Sequence, residues 1–196
     1  MNRIESSAAI LVGGRSRRFQ SDKAFMPFRN TTVARSLFER FSSVFAEVFF
    51  VADRIDKLAG YEAVTVADLQ PGLGPLGGLQ TALHHAGNVW CFIAACDLPF
   101  LDEQLPLILW QFAGDSDVVA PVWSNRVEPV AAFYHRRCLV EVNAALSEGR
   151  CSMRDFWSEM NVIKVDLTRH FAPTVIERML CNVNTPLEYQ QMLNMT

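Results

Sequence analysis

Leu11-Val12-Gly13-Gly14-Arg15-Ser16-Arg17-Arg18-Phe19-Gln20-Ser21-Asp22-Lys23 is the stretch on which the reading of this chain turns. It grows out of Ala8-Ala9-Ile10-Leu11-Val12, a continuous apolar run without alternation, which is the pattern of a strand buried on both faces. The run stops at a Gly pair, where backbone N–H groups can approach an anion with no Cβ in the way. Arg15, Arg17, Arg18 and Lys23 add charge. A plain polar connector would need neither the Gly pair nor the cations, so the loop is read as a cradle for a highly anionic ligand. It is not a Walker A loop, because no Gly-Lys-Ser/Thr follows the glycines.

Outward from the loop, strands and helices alternate. Val33, Leu37, Phe38, Phe41 and Val44 recur at helical spacing, with Thr31 or Thr32 placed to cap them. Glu47–Val51 reads as a second buried strand, 54–59 as a short polar helix, and Ala63–Val66 as a third strand ending at Ala67-Asp68. Residues 70–78 look too rich in Gly and Pro for regular structure, with a helix expected only over Leu79–Ala86. Val89–Ala95 is the most apolar strand and ends in Cys96-Asp97-Leu98-Pro99. A helix over Asp102–Phe112 and a strand over Val118–Ala120 follow. Beyond them the spacing predicts a strand over Val127–Tyr134, whose Pro suits an edge strand or one with irregular first residues, a helix over Arg136–Leu146 ended by Gly149, and a shorter helix over Ser152–Glu159. Strands over Val162–Val165 and Met179–Val183, then a helix over Pro186–Leu193, complete the chain. The alternation predicts one domain over 1–196, a three-layer α/β sandwich with a mainly parallel, Rossmann-like central sheet and a small antiparallel addition.

Composition narrows the classes. Residues 1–40 carry eight Arg/Lys and three Asp/Glu, whereas the remainder carries ten and eighteen, so the basic excess surrounds the loop. That suits a small anionic ligand better than nucleic acid. No apolar run reaches membrane-span length and the first residues lack a signal-peptide pattern, so a soluble cytoplasmic protein with no membrane partner is expected. The five cysteines have no CxxC spacing and the four histidines no metal-ligand spacing, which points to neither a disulfide framework nor a zinc site.

In an open α/β sheet, ligands sit beyond the carboxyl ends of the strands. The loop 13–23, Asp68 and Asp97 all fall at such ends, so residues distant in sequence should share one cleft. A carboxylate closing a very apolar strand is costly unless it is paired or binds a cation. Mg2+ favours one or two carboxylates plus phosphate oxygens, which makes Asp97 the metal-ligand candidate. Asp68 could equally form a turn. Gly72-Leu73-Gly74-Pro75-Leu76-Gly77 is a literal G-x-G-x-x-G, but four residues separate it from its strand and Pro75 removes an N–H that a pyrophosphate would use. A dinucleotide-redox reading therefore stands only as a competitor.

The residues now resemble a known family. Leu11–Lys23 is similar to the L-A-G-G-x-S-x-R-[MF]-G-x-D-K signature of nucleotidyltransferases related to molybdenum cofactor guanylyltransferase. Asp68 followed by Gly74-Pro75-Leu76-Gly77-Gly78 resembles the family's D…GPLxG segment, and Cys96-Asp97-Leu98-Pro99-Phe100 its C-D-x-P-[FY] segment. Glu128–Tyr134, Gly149–Phe156 and Asn182-Val183-Asn184-Thr185-Pro186 resemble later family segments, the last matching N-x-N-T-P. Gln20 and Val12 depart from the usual Gly and Ala. The resemblance implies the nucleotide-diphospho-sugar transferase type of fold and Mg2+-dependent transfer of GMP from GTP to the terminal phosphate of molybdopterin. It implies Lys23, Asp97 and Arg18 as catalytic groups and Asp97 as the metal ligand. Leu11, Val12, Gly13, Gly14, Arg15, Lys23, Asp68 and Asp97 would bind the nucleotide; Asn182, Asn184 and Arg150 would bind the acceptor. Molybdenum-insertion proteins and molybdoenzyme chaperones would be the protein partners. A cytidylyl or sugar-phosphate nucleotidyltransferase, and a non-catalytic adaptor delivering molybdopterin, remain open. On residue types alone, 182–186 reads as a turn and helix cap.

Overall fold

A computed structural model describes residues 3–13, 23–53, 55–58, 60–61 and 63–193. The described chain runs β1 (Ile4–Val12), a small hairpin of β2 (Pro27–Phe28) and β3 (Thr31–Thr32), α1 (Val33–Ser42), β4 (Phe45–Ala52), β5 (Val64–Ala67), α2 (Gly74–His85), β6 (Trp90–Ala95), α3 (Gln104–Trp110), β7 (Val118–Trp123), β8 (Arg126–Val127), β9 (Ala131–His135), α4 (Leu139–Ser147), β10 (Val162–Asp166), α5 (Pro173–Met179) and α6 (Pro186–Leu193). Among the described residues the central sheet has eight strands, ordered β10-β7-β9-β6-β1-β4-β5 with β8 paired to β7. β4 and β6 flank β1 in parallel, β5 adds in parallel to β4, and β10 to β7. β9 runs antiparallel between β6 and β7.

The unbroken apolar strands follow from this placement. Ala8, Ile10 and Val12 pack into a core with Leu37 and Phe41 of α1, Leu105 and Leu109 of α3 and Ile176 of α5. Ala9 and Leu11 pack into a second core with Leu76, Leu79 and Leu83 of α2 and Val142 and Leu146 of α4. Successive side chains thus serve opposite faces, and helices cover both, giving the three expected layers. Thr32 caps α1, accepting from the Arg35 N–H at 3.3 Å.

Several boundaries differ from the sequence expectation. β1 begins at Ile4, because Ser6 and Ser7 are buried with their hydroxyls satisfied. Ser6 donates to the Trp90 carbonyl at 2.7 Å and Ser7 to the Glu47 carboxylate. The Gly/Pro-rich stretch is helical from Gly74, where Pro75 fits the first turn and needs no N–H partner. Residues 152–156 form turns, and helical structure there is confined to a 3-10 turn over Trp157–Glu159. The expected strand at Met179–Val183 is absent: Met179 ends α5, a helix the sequence reading missed, and residues 181–184 are irregular. The Pro-containing strand is interior. Its irregular start at Glu128-Pro129-Val130 spares the ladder the missing N–H.

Candidate active site

The parallel strands β4, β1 and β6 all end at one edge, at Ala52-Asp53, Val12-Gly13 and Ala95-Cys96-Asp97. β5 ends beside them at Ala67-Asp68, and β9, running the other way, begins there after Glu128. Backbone bonds stitch the ends together: the Asp68 N–H to the Ala52 carbonyl at 2.9 Å, Cys96 to Leu11 at 3.3 Å, and Ala95 to Val130 at 3.1 Å. From β1 the chain leaves through α1 on one face, and it returns to β6 through α2 on the other. The β1–β6 boundary is therefore the point of reversal where such sheets open a crevice.

Asp97 stands at that boundary. Its Oδ1 is closed off from solvent and accepts no hydrogen bond among the described residues. Burial raises its carboxyl above the usual carboxylate range, with Lys23 pulling the other way. An orphaned buried carboxylate oxygen at a strand end suits a cation that brings further ligands of its own. No three His, Cys, Asp or Glu gather as a metal site among the described residues, so substrate oxygens would have to complete the coordination.

Lys23 opens a 3-10 turn over Lys23–Phe25 and donates from Nζ to Asn184 Oδ1 at 2.7 Å. Burial lowers its pKa, while the charges of Asp97 and Glu188 raise it. The C-terminal segment reaches the same place, for the Val183 N–H donates to the Asp97 carbonyl at 2.8 Å. Residues 23, 97 and 184 therefore converge although 161 positions separate the first from the last. The exposed Asn182 lies two residues before Asn184.

Asp68 shares its end of the cleft with Asp53. Burial raises the Asp68 carboxyl, the Asp53 charge adds to this, and a hydrogen bond with Thr81 opposes it. Its Oδ1, like that of Asp97, is buried and has no partner among the described residues. Gly13 is exposed beside Asp53, whose amide nitrogen lies 3.6 Å from where a Gly13 Cβ would stand. Val12 is wholly buried in the α1-side core. Leu11 packs onto α2, and a Cβ on Gly78 would come within 3.2 Å of its methyl groups. The glycines of the G-x-G-x-x-G lookalike thus serve turn and helix packing. Gly72 and Gly74 take φ of 93° and 65°, and a Gly77 Cβ would stand 2.9 Å from that of Leu73.

Arg150 is engaged within its own loop. It pairs with Glu148 at 2.8 Å and donates to the Asp155 carbonyl. Gly14, Arg15 and Arg18 lie outside the described residues.

Four groups escaped the sequence reading. Asp53 closes an apolar strand just as Asp68 and Asp97 do, and the same rule would have found it. Glu128 is set near Asp97 by the irregular start of β9. Burial raises its carboxyl, the Val130 N–H opposes this and the Asp97 charge adds to it. Glu188 forms a reciprocal cap with Thr185 at the start of α6. Arg40 of α1, which the sequence did not single out, donates to the Pro99 carbonyl at 2.6 Å, to the Leu101 carbonyl, and through Nε to Ser36 O at 3.1 Å. Burial pushes its guanidinium down to about 10. Phe28 of the hairpin lies against both Arg40 and Phe100. Arg40 therefore holds the segment that follows Asp97. Arg40→Met, which orphans two carbonyls, is expected to cost about 2 kcal/mol and lower the thermal midpoint by about 4–8 °C. Thermal unfolding checks this, and an unchanged midpoint would show that the carbonyls find other donors.

Known proteins resemble this chain in sequence and fold. The sequence profile of the MobA-like NTP transferase domain matches residues 8–162. The chain belongs to the MobA-like NTP transferase family. It is 32% identical over 186 residues to a protein of Desulfosudis oleivorans named molybdenum cofactor guanylyltransferase, covering 93% of this chain and 91% of that one. The crystal structure of molybdopterin-guanine dinucleotide biosynthesis protein A from Archaeoglobus fulgidus superposes with a TM-score of 0.84 at 25% identity, covering 96% and 97% of the two chains. The 2-C-methyl-D-erythritol 4-phosphate cytidylyltransferase of Thermus thermophilus, 16% identical with a TM-score of 0.70 and covering 98% of each chain, shares the fold. This MobA-like chain is thus a nucleotidyltransferase. No helix among its described residues is long and apolar enough to cross a membrane.

Proposed function

We propose that the protein transfers GMP from GTP to the terminal phosphate of molybdopterin, with Mg2+ as the metal. The observation that carries this reading is the convergence of Lys23, Asp97 and Asn184 at the β1–β6 boundary, within a family whose relatives are named for the guanylyl reaction. An oxygen of the acceptor phosphate would attack the α-phosphorus, and the bond from that phosphorus to the bridging oxygen of the β-phosphate would break, releasing pyrophosphate. The acceptor is already ionised, so the chain has no need of a strong general base. Its task is positioning and charge stabilisation.

Asp97 would hold the Mg2+, and the orphaned buried Oδ1 fits that role. Bound there, the ion would supply Lewis-acid stabilisation of the nucleotide's phosphate oxygens. Lys23, with Arg15 or Arg18 and the Gly13–Gly14 amides, would hold the triphosphate and stabilise the leaving pyrophosphate. Leu11, Val12 and Gly13, with Asp68, would contact guanine or ribose. Asn182 and Asn184 would face the acceptor. Arg150, which here pairs with Glu148 and the Asp155 carbonyl, would join them in binding the acceptor. Molybdenum-insertion proteins and molybdoenzyme chaperones would supply and receive the cofactor.

The test is pyrophosphate release with each of the four NTPs, with and without molybdopterin. Release with GTP, dependent on acceptor, is expected. Release with CTP in its place would move the protein to the cytidylyl branch. Tight binding of both ligands with no release would make it a delivery adaptor.

A further inference from the structure

Residues 181–193 lie beyond the stretch matched by the family profile, yet they meet the active edge at three points. The Val183 N–H reaches the Asp97 carbonyl at 2.8 Å, Asn184 Oδ1 accepts from Lys23 at 2.7 Å, and the Tyr189 hydroxyl donates to the Pro27 carbonyl at 2.9 Å. Within this segment one carboxylate oxygen gathers the backbone. Glu188 Oε2 accepts from the N–H of Asn184 at 2.5 Å and from that of Thr185 at 2.8 Å. Thr185 Oγ1 accepts from the Glu188 N–H at 3.2 Å, closing a reciprocal cap at the start of α6. The Asn184 N–H holds the Glu188 carboxyl below its usual range, with smaller help from Thr185 and Lys23 and against burial.

We infer that Glu188 is a positioning residue for the acceptor half of the site, an inference that rests on the proposed reading. Lys23 can only donate, so Asn184 must turn its oxygen towards it. The Asn184 N–H2 group is then what remains to meet an anionic acceptor. That orientation holds only while the backbone at 184 is fixed, and the double hold of Glu188 fixes it. An ordinary helix cap would stabilise α6 and go no further. Here one of the capped N–H groups belongs to Asn184 itself, so the cap fixes the residue that would meet the acceptor. The carboxylate's own charge faces Lys23 as well, alongside that of Asp97.

The test is steady-state kinetics with GTP and molybdopterin on Asn184→Ala, Glu188→Ala, Glu188→Gln and the double variant N184A/E188A. Binding of GTP alone is measured in parallel. Asn184→Ala is expected to raise the acceptor KM about tenfold and Glu188→Ala about three- to tenfold, the scale of one charge-assisted hydrogen bond. Glu188→Gln, which keeps an accepting oxygen, should recover most of this. The double variant should match Asn184→Ala alone, because Glu188 acts through Asn184. Affinity for GTP alone should change by less than about threefold, since hydrogen bonds outside a ligand's own contacts add little to its binding. A normal acceptor KM in Glu188→Ala, effects that multiply in the double variant, or an equal loss of GTP affinity would overturn the inference. A normal acceptor KM in Asn184→Ala would overturn the acceptor assignment of the proposed reading and the inference with it. If Glu188→Ala fails to fold, Glu188→Met, which keeps the side chain's length and removes its accepting oxygens, carries the same cycle.

Discussion

Asp97→Ala is expected to lower GMP transfer by about a thousandfold or more while the chain stays folded. The fold should survive because Asp97 sits in a turn beyond β6, where its carbonyl accepts from Val183 whatever the side chain. The side chain itself works against stability. Its Oδ1 is buried and unpartnered among the described residues, and burial raises its pKa. A carboxyl whose folded pKa lies above its unfolded value makes the native state lose stability as pH rises through that interval. The isosteric Asp97→Asn removes the charge, so in metal-free buffer at neutral pH it should gain about 1 kcal/mol, or about 2–4 °C in thermal midpoint. Activity should fall with it as far as in the Ala variant. A gain in stability joined to a loss of transfer is the signature of a residue kept for chemistry. Unchanged transfer in either variant would remove Asp97 from the metal site.

The second large effect is expected at Lys23. Lys23→Ala should weaken binding of the GTP triphosphate by about 10- to 100-fold, the range of hydrogen bonds to charged groups. The ammonium is the positive group that offsets Asp97 and Glu188 at this spot. Without it, an incoming triphosphate would meet two carboxylates with less compensation. The loss should shrink as salt is added, since part of it is Coulombic. Calorimetric titration of GTP into wild type and variant measures it, and equal affinities would place Lys23 outside the nucleotide half.

Much of this was legible in the chain, for identifiable reasons. Ala8–Val12 and Val89–Ala95 lie between two helix layers, so they are apolar on every residue and read directly as central strands. Asp97 at the end of Val89–Ala95, and Asp68 at the end of the strand before it, could then be assigned by topology alone to one edge of the sheet, three strands apart. Other features were hidden by tertiary compensation. Ser6 and Ser7 masked the start of β1 because their hydroxyls are satisfied by Trp90 and Glu47, partners 84 and 40 residues away. Gly77 and Gly78 looked like helix breakers, whereas Leu73 and Leu11 occupy the space their side chains would need. Arg40 was invisible as a buried group because a lone cation on an amphipathic helix ordinarily faces water. At Asn182–Pro186 the residue types suggested a turn and cap, the resemblance suggested a binding segment, and the geometry accommodates both. The cap of Thr185 and Glu188 is what holds Asn184 at Lys23.

The proposed reaction joins the α-phosphorus of GTP to an acceptor phosphate. The most direct measurement follows the label from [α-32P]GTP with molybdopterin and Mg2+. The label is expected in a guanine dinucleotide form of the acceptor, with unlabelled pyrophosphate released in equal amount. Label that stays in GTP, or leaves as free GMP whether or not the acceptor is present, would contradict it.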